Sequence, residues 1–355
     1  MSPRTTTPSR ESAPPSFSVE RLVLAANRIF HDLEGERYEE KHDEIFIAEA
    51  ERWRRLARAW LAATPGARPR TILDLGSGTG FVPSVVGPFL AAGDEIVASD
   101  LSIAMLACAR ARLAAAELPC RLRFEPVDGV RYPFPSKSFD AVTANSFVHH
   151  VPDLARLFSE IDRILKPGGL FIVGHEPNLL HFRSPGLARW ARILSLAGDP
   201  LGSAVGLARA LRLDRLAARC GWRKRIRGAV LRARGAEFAE QVRRTEAILD
   251  RVGEQMTSEG LLPAPPTREQ LARWIDFHSP TAGDAVEPER GLDVEWVRKD
   301  ALPDYELLHR ESYDHLFSGG HATRRTALLR CLDRWLARCY PDAGRTLSFV
   351  LQKPE

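Results

Sequence analysis

The spacing of apolar positions changes near residue 70, and that change divides the chain. Upstream, Leu22, Ala26, Ile29, Ile45, Trp53, Leu56 and Trp60 recur at three- and four-residue intervals, which predicts helix across residues 19–63. ATPGARP then breaks the helix. Beyond it, short apolar runs alternate with helical stretches. TILDL, EIVASD, RLRFEPV, FDAVTAN and LFIVGHE are predicted strands, and KPGG makes the turn into the fifth. Between them, helices are expected near Val82–Leu90 and over Ile103–Ala116. A third carries Leu154, Leu157, Phe158, Ile161, Ile164 and Leu165 on one face and Asp153 as its cap. Later, PTREQLARWIDF predicts a capped helix, YELLHRESYDHL a strand, and RTLSFVLQKP a final strand.

Strands alternating with helices of this length imply an α/β fold, with parallel pairing and crossover helices on both faces of the sheet. Five segments follow: a disordered tail (1–18), an N-terminal helical cap (19–66), the alternating core (67–177), an arginine-rich helical insertion without strand signals (178–266), and a C-terminal stretch (267–355) that completes the core sheet.

Composition changes this picture in three places. No apolar run is long enough to span a bilayer. The first residues lack the apolar block of a signal peptide, so a cytoplasmic enzyme is expected. Cys108, Cys120, Cys220, Cys331 and Cys339 are scattered and odd in number, which predicts reduced packing residues rather than a disulfide framework or zinc site. The net charge of +4 hides an asymmetry: Arg183 to Arg234 holds thirteen basic residues against Asp199 and Asp214, about +11, leaving the remainder near −7.

In such sheets, ligands sit outside the C-terminal strand ends. That rule brings Gly76–Gly80, Asp100, Asp128, Asn145 and Glu176 to one rim. The stretch GSGTG puts Gly76, Gly78 and Gly80 at spacing two, where backbone amides can approach a ligand; it does not meet the dinucleotide pattern. A tight turn with no ligand is the competing reading. Asp100 can accept two hydrogen bonds from a ribose diol or cap the following helix. Asp128 can accept from an adenine amine or serve as a turn residue before Gly129. Ribose and adenine acceptors without a phosphate-cradling loop point to a nucleoside cofactor.

ILDLGSGTG, IVASDLSIAML, VDGVRYPFPSKSFDAVTANSFVHHVPD and RILKPGGLFIVGHEP resemble consecutive motifs of the class I S-adenosylmethionine-dependent methyltransferases, closest to the branch with the ubiquinone/menaquinone methyltransferases. The resemblance covers residues 70–177, and the final RTLSFVLQKP resembles that fold's last strand. It implies a Rossmann-like, seven-stranded, mostly parallel sheet with N-terminal helices and a helical lid. It also implies that Gly76, Ser77, Gly78 and Gly80 line the methionine end of the cofactor, Asp100 holds the ribose, Asp128 and Gly129 the adenine, and Asn145 borders the sulfonium. Asp74, Leu101 and Ser146 complete the expected cofactor-binding set. Tyr38 resembles a tyrosine that closes over the cofactor.

His149, His150 and Glu176 are the candidate catalytic residues. Either histidine suits general-base work, against a purely loop-shaping role, and Glu176 could orient an acceptor hydroxyl or amine. ANSFVHHV contains no Asn-Pro-Pro, Asp-Pro-Pro or Pro-Cys, which argues against adenine, glutamine-side-chain and cytosine C5 methylation. No metal-ligand spacing is present, so no metal is expected. The expected partner is a small hydrophobic or acidic acceptor methylated at oxygen or carbon. The basic helices of 183–234 read as a solvated lid, a recruiter of substrate carboxylate or phosphate, or a membrane-surface contact. Two rivals remain: an RNA methyltransferase using that block, where aromatics for base stacking are sparse (Trp190 and Trp222), and a cofactor-binding protein of this fold with other chemistry.

Overall fold

Along the core strands, alternate residues face opposite sides of one sheet, so each strand feeds two separate hydrophobic layers. The computed structural model describes residues 17–35, 49–63, 69–183, 236–278, 291–315 and 334–355. Seven strands are present among them: β1 (Thr71–Leu75), β2 (Glu95–Asp100), β3 (Arg121–Pro126), β4 (Phe139–Asn145), β5 (Leu165–Pro177), β6 (Glu306–Tyr313) and β7 (Thr346–Gln352). Their order is β3-β2-β1-β4-β5-β7-β6. The first five pair in parallel and β7 pairs antiparallel with both neighbours, so β7 alone runs in reverse. The fold is therefore the Rossmann-like, seven-stranded, mostly parallel α/β sheet that the resemblance implied.

Period-two alternation shows directly in the core. Ile72, Ile96, Ala141, Ile172 and Val350 pack on one face with Trp53, Ala57 and Trp60 of α2 (Ala50–Ala63) and with Phe81, Val82 and Val85 of α3 (Phe81–Val86). Their chain neighbours Leu73, Val97, Val142, Phe171 and Phe349 face the other side, against Leu157, Phe158 and Ile161 of α5 (Leu154–Ile164). Helix α4 (Ile103–Ala114) links β2 to β3. Asp153 caps α5 as expected, its Oδ1 accepting from Arg156 N at 3.0 Å.

The N-terminal helical stretch is two helices, α1 (Val19–Glu34) and α2, with residues 36–48 between them outside the described set. Their surroundings differ. While α2 lies on the sheet, α1 buries Val23, Ala26, Ile29 and Phe30 against Leu249, Val252 and Met256 of α7 (Ala236–Ser258) and Leu271, Trp274 and Ile275 of α8 (Arg268–Ile275). The short α6 (Leu179–Arg183) follows β5. Residues 184–235, and so nearly all of the basic block, lie outside the described residues, as do the tail to residue 16 and Tyr38. Helix α3 stops at Val86, earlier than expected, and gives way to a single 3-10 turn over Gly87–Phe89, because Pro88 has no amide hydrogen with which to continue the α-helical ladder. KPGG lies inside β5 rather than before it, and Gly168 takes a positive φ of 71° there. No described helix is long and apolar enough to cross a membrane.

Phe158 is fully buried, with its ring edge-on to Phe171 at 6.1 Å and to Trp296 at 5.8 Å. Phe158→Ala should therefore destabilise the protein by about 3–5 kcal/mol, read from urea unfolding midpoints at constant m-value. A cost under about 1 kcal/mol would show that this face of the sheet repacks freely.

Candidate functional site

The chain reverses its direction of travel across the sheet between β1 and β4, and the loops following these two strands open a crevice. A cavity occupies that point, with about 1020 Å³ of empty space including the solvent at its mouth. One wall is the strand rim: Asp74, Gly76, Ser77, Gly78 and Thr79 after β1, Asp100 and Leu101 after β2, Gly129 after β3, Asn145 and Ser146 after β4. The opposite wall is α1, through Leu24, Asn27 and His31.

The glycines have separate reasons. Gly76 has φ +60°, and a Cβ there would lie 2.2 Å from the Phe147 ring, so glycine permits the packing of two loops. Gly78 has φ +53° and no described residue within 4 Å of a Cβ position; among the described residues it borders open space that a ligand can fill. Gly80 is not part of the cavity wall, and its Cβ would meet Leu113.

Asp100 ends β2 with Oδ2 accepting from Gly78 N at 2.8 Å and Oδ1 from Ser102 N at 2.9 Å. The cap of α4 is Ser102, so Asp100 supports that turn rather than capping the helix itself. Burial outweighs these donors and raises its carboxyl to about 6. Each oxygen keeps a further lone pair for a ribose hydroxyl. Asp74 is buried beneath the glycines and accepts from the hydroxyls of Ser77 and Thr143. Burial lifts it to about 7. Asp128 accepts from Val130 N and Arg131 N through one oxygen and lies off the cavity wall, where Gly129 stands instead. Asn145 Oδ1 accepts from the Trp53 indole at 2.8 Å.

The three catalytic candidates fall in different places. Glu176, with no exposed surface, accepts from Phe147 N at 2.7 Å, Val148 N at 2.8 Å and His149 N at 3.1 Å, and lies 2.9 Å from His149 Nδ1. Burial pushes its carboxyl up, but the His149 imidazole and the amides prevail and hold it below the ordinary range. It organises the loop after β4 and does not face the cavity. His149 is buried with it; burial opposes the charged ring, yet Glu176 raises its pKa above the ordinary value. Of the three, only His150 lines the cavity. Its Nδ1 donates to Ile275 O at 2.5 Å, which leaves the lone pair on Nε2. Burial, then the neighbouring His149, lower it to about 4.

His149, His150 and Asp276 bring three potential ligand atoms within 4.8 Å of one another, a cluster that sequence spacing did not reveal because Asp276 lies on a distant segment. With His149 raised by Glu176 and its Nε2 3.9 Å from Asp276, the geometry also suits a histidinium between two carboxylates. Sequence reasoning missed the α1 wall altogether. Leu24, Asn27 and His31 form a stripe at i, i+3 and i+7, separate from the core stripe that carried the helix prediction. The available signal was Asn27 and His31 at i and i+4, on a helix whose other polar residues all carry full charges.

The family described as "Methyltransferase domain" matches residues 73–173. These are the residues that carry β1 to β5 and the strand rim. Residues 73–173 carry a methyltransferase domain. The chain is similar to 2-phytyl-1,4-naphtoquinone methyltransferase of Synechococcus elongatus, 30% identical over 160 residues, covering 43% of this chain and 66% of that protein. It is also similar to a demethylmenaquinone methyltransferase of Thermus thermophilus, 38% identical over 126 residues, covering 36% and 54%. The chain thus spans less than two thirds of the length of these curated relatives. Among solved structures, YjhP from E. coli aligns with a TM-score of 0.35 and 22% identity, over 46% of this chain and 62% of that one.

The described residues fit the methyltransferase cofactor, S-adenosylmethionine. Gly78 faces open space among the described residues, and Thr79, 3% exposed on the same wall, has a hydroxyl with no partner among them. Asp100 and Gly129 stand at successive strand ends beyond them.

Raised carboxyls give a testable pH signature. Asp74 and Asp100 hold protons in the ligand-free fold at pH values where the unfolded chain has released them. Their contribution is complete below about pH 4 and lost as pH rises through about 6 and 7. Thermal unfolding of the wild type should fall over that interval relative to Asp74→Asn; parallel curves would show that Asp74 ionises normally.

Proposed function

We propose that the protein transfers a methyl group from S-adenosylmethionine to oxygen or carbon of a small, largely apolar acceptor, in the cytoplasm. The observation that supports this best is the cavity with two unlike walls: glycines and carboxylates on the strand rim, an apolar helix face with isolated polar atoms opposite. Two relatives carry the names of quinone methyltransferases, which favours a quinone-like or specialised-metabolite acceptor.

The cofactor supplies an electrophilic methyl on a sulfonium, so the chain mainly contributes proximity, alignment and exclusion of water. The Gly76–Thr79 loop would hold the methionine end, Asp100 the ribose, and Val127, Gly129 and Leu101 the adenine side. Asn145, its oxygen turned to Trp53, would offer its amide hydrogens near the sulfonium end. His150 is neutral around pH 7 and a weak base, so its part is to accept a hydrogen bond from the acceptor and orient it. The base role considered for His149 and the acceptor-orienting role considered for Glu176 give way to a loop-shaping one. Tyr38 as a closing residue, and the basic block as lid, membrane contact or RNA footprint, fall outside the described residues.

The test is incubation of the full chain with S-adenosylmethionine and a panel of hydroquinones and phenols, followed by release of S-adenosylhomocysteine and the mass gain of the acceptor. Cofactor binding by calorimetry without S-adenosylhomocysteine release from any acceptor would overturn methyl transfer to this class. Asp100→Ala should weaken the cofactor at least about 100-fold, since charge-assisted hydrogen bonds and the Gly78 anchor go together. An unchanged Kd would remove Asp100 from the ribose role.

A further inference from the structure

Asn27 sits midway along α1, 5% exposed, on the cavity wall. Its side-chain nitrogen donates to Val23 O and to Trp274 O, both at 3.0 Å. Carbonyl oxygens can be served only by the NH₂ group, so the amide orientation is determined chemically. Oδ1 has no partner among the described residues. The next residue of α8, Ile275, accepts from His150 Nδ1 through its own carbonyl. Successive carbonyls at the end of α8 therefore orient Asn27 and His150, and each is left with a hydrogen-bond acceptor: an amide oxygen and an imidazole Nε2. His31 joins them, its ring edge-on to His150 at 5.5 Å. Around these groups the wall is apolar, through Leu24, Phe147 and Val151.

A surface that combines acceptor atoms with apolar side chains selects an apolar ligand bearing O–H donors, because a ligand without them leaves the buried amide oxygen unpaired. We propose that Asn27 Oδ1 and His150 Nε2 form the acceptor subsite, and that they recognise the hydroxyl of an aromatic alcohol such as a hydroquinone or phenol. The inference rests on the methyl-transfer reading for its consequence in catalysis, but the binding claim stands separately. Asn27 is here a specificity-determining residue: the strand rim holds the cofactor, and the α1 wall chooses what faces it.

The experiment compares a hydroquinone with its methyl ether and with the ring lacking the hydroxyl, as ligands of the full chain saturated with S-adenosylhomocysteine. Calorimetry needs no turnover, so this measurement survives failure of the functional reading. Wild type should prefer the hydroxyl compound by about 10- to 100-fold in Kd. In Asn27→Leu that preference should shrink to under about 3-fold, with the Kd of S-adenosylmethionine unchanged. Equal affinity of wild type for the three ligands overturns the proposal, and this comparison needs no variant should Asn27→Leu fail to fold. A loss of cofactor affinity in Asn27→Leu with the hydroxyl preference intact also overturns it, by assigning the amide oxygen to the cofactor. If binding discriminates but no acceptor is methylated, the subsite stands and the methyl-transfer reading falls.

Discussion

A buried carboxylate, Glu176, ties the end of β5 to the turn after β4, and the geometry of the cavity follows from that tie. Removing a carboxylate from water is costly unless its lone pairs are filled. Glu176 fills them with three consecutive backbone amides and the His149 ring. Those amides belong to a turn that includes Ser146 at a positive φ of 53°, a conformation uncommon for residues other than glycine. The same turn presses Phe147 onto Gly76, which locks the loop after β4 to the loop after β1. The two loops that border the crevice are thus one rigid unit, positioned by one anion.

Around that unit the structure divides its tasks between a fixed floor and an applied wall. The floor is strand rim, whose backbone amides and carboxylates are placed by the parallel ladder. The wall is α1, held through Val23, Ala26, Ile29 and Phe30 against α7 and α8 rather than against the sheet. Side chains on the wall are oriented from behind by carbonyls of α8, so the segment after the arginine-rich block shapes the cavity without lining it.

Much of the core was legible because it rests on local periodicities. The alternation of Ile72 with Leu73, Ile96 with Val97 and Ala141 with Val142 predicts two-sided strands, and the structure sends these neighbours to opposite layers. Asp153 as a cap and β7 as the closing strand were readable in the same way. Boundaries moved where one residue intervened, as Pro88 ends α3 early. The glycine loop was legible as a pattern but not as a set of causes: Gly76 answers to Phe147, seventy-one positions away, and only Gly78 faces free space.

The order of strands and helices along the chain and the cofactor family were legible in the sequence alone, as was the strand-end position of Gly76, Gly78, Asp100 and Asn145, because hydrophobic period and strand-end position are properties of contiguous residues. Only the tertiary structure decided that Glu176 builds a loop, that His149 is buried while His150 reaches the cavity, and that Asn27 and Asp276 stand near them. Those outcomes depend on contacts between segments 27 to 127 residues apart, such as His149 with Glu176 and Asp276 and His150 with Ile275, and across 247 residues in the case of Asn27 and Trp274. Whether a polar side chain is a ligand or a strut is set by which partners fill its lone pairs, and those partners are chosen by packing.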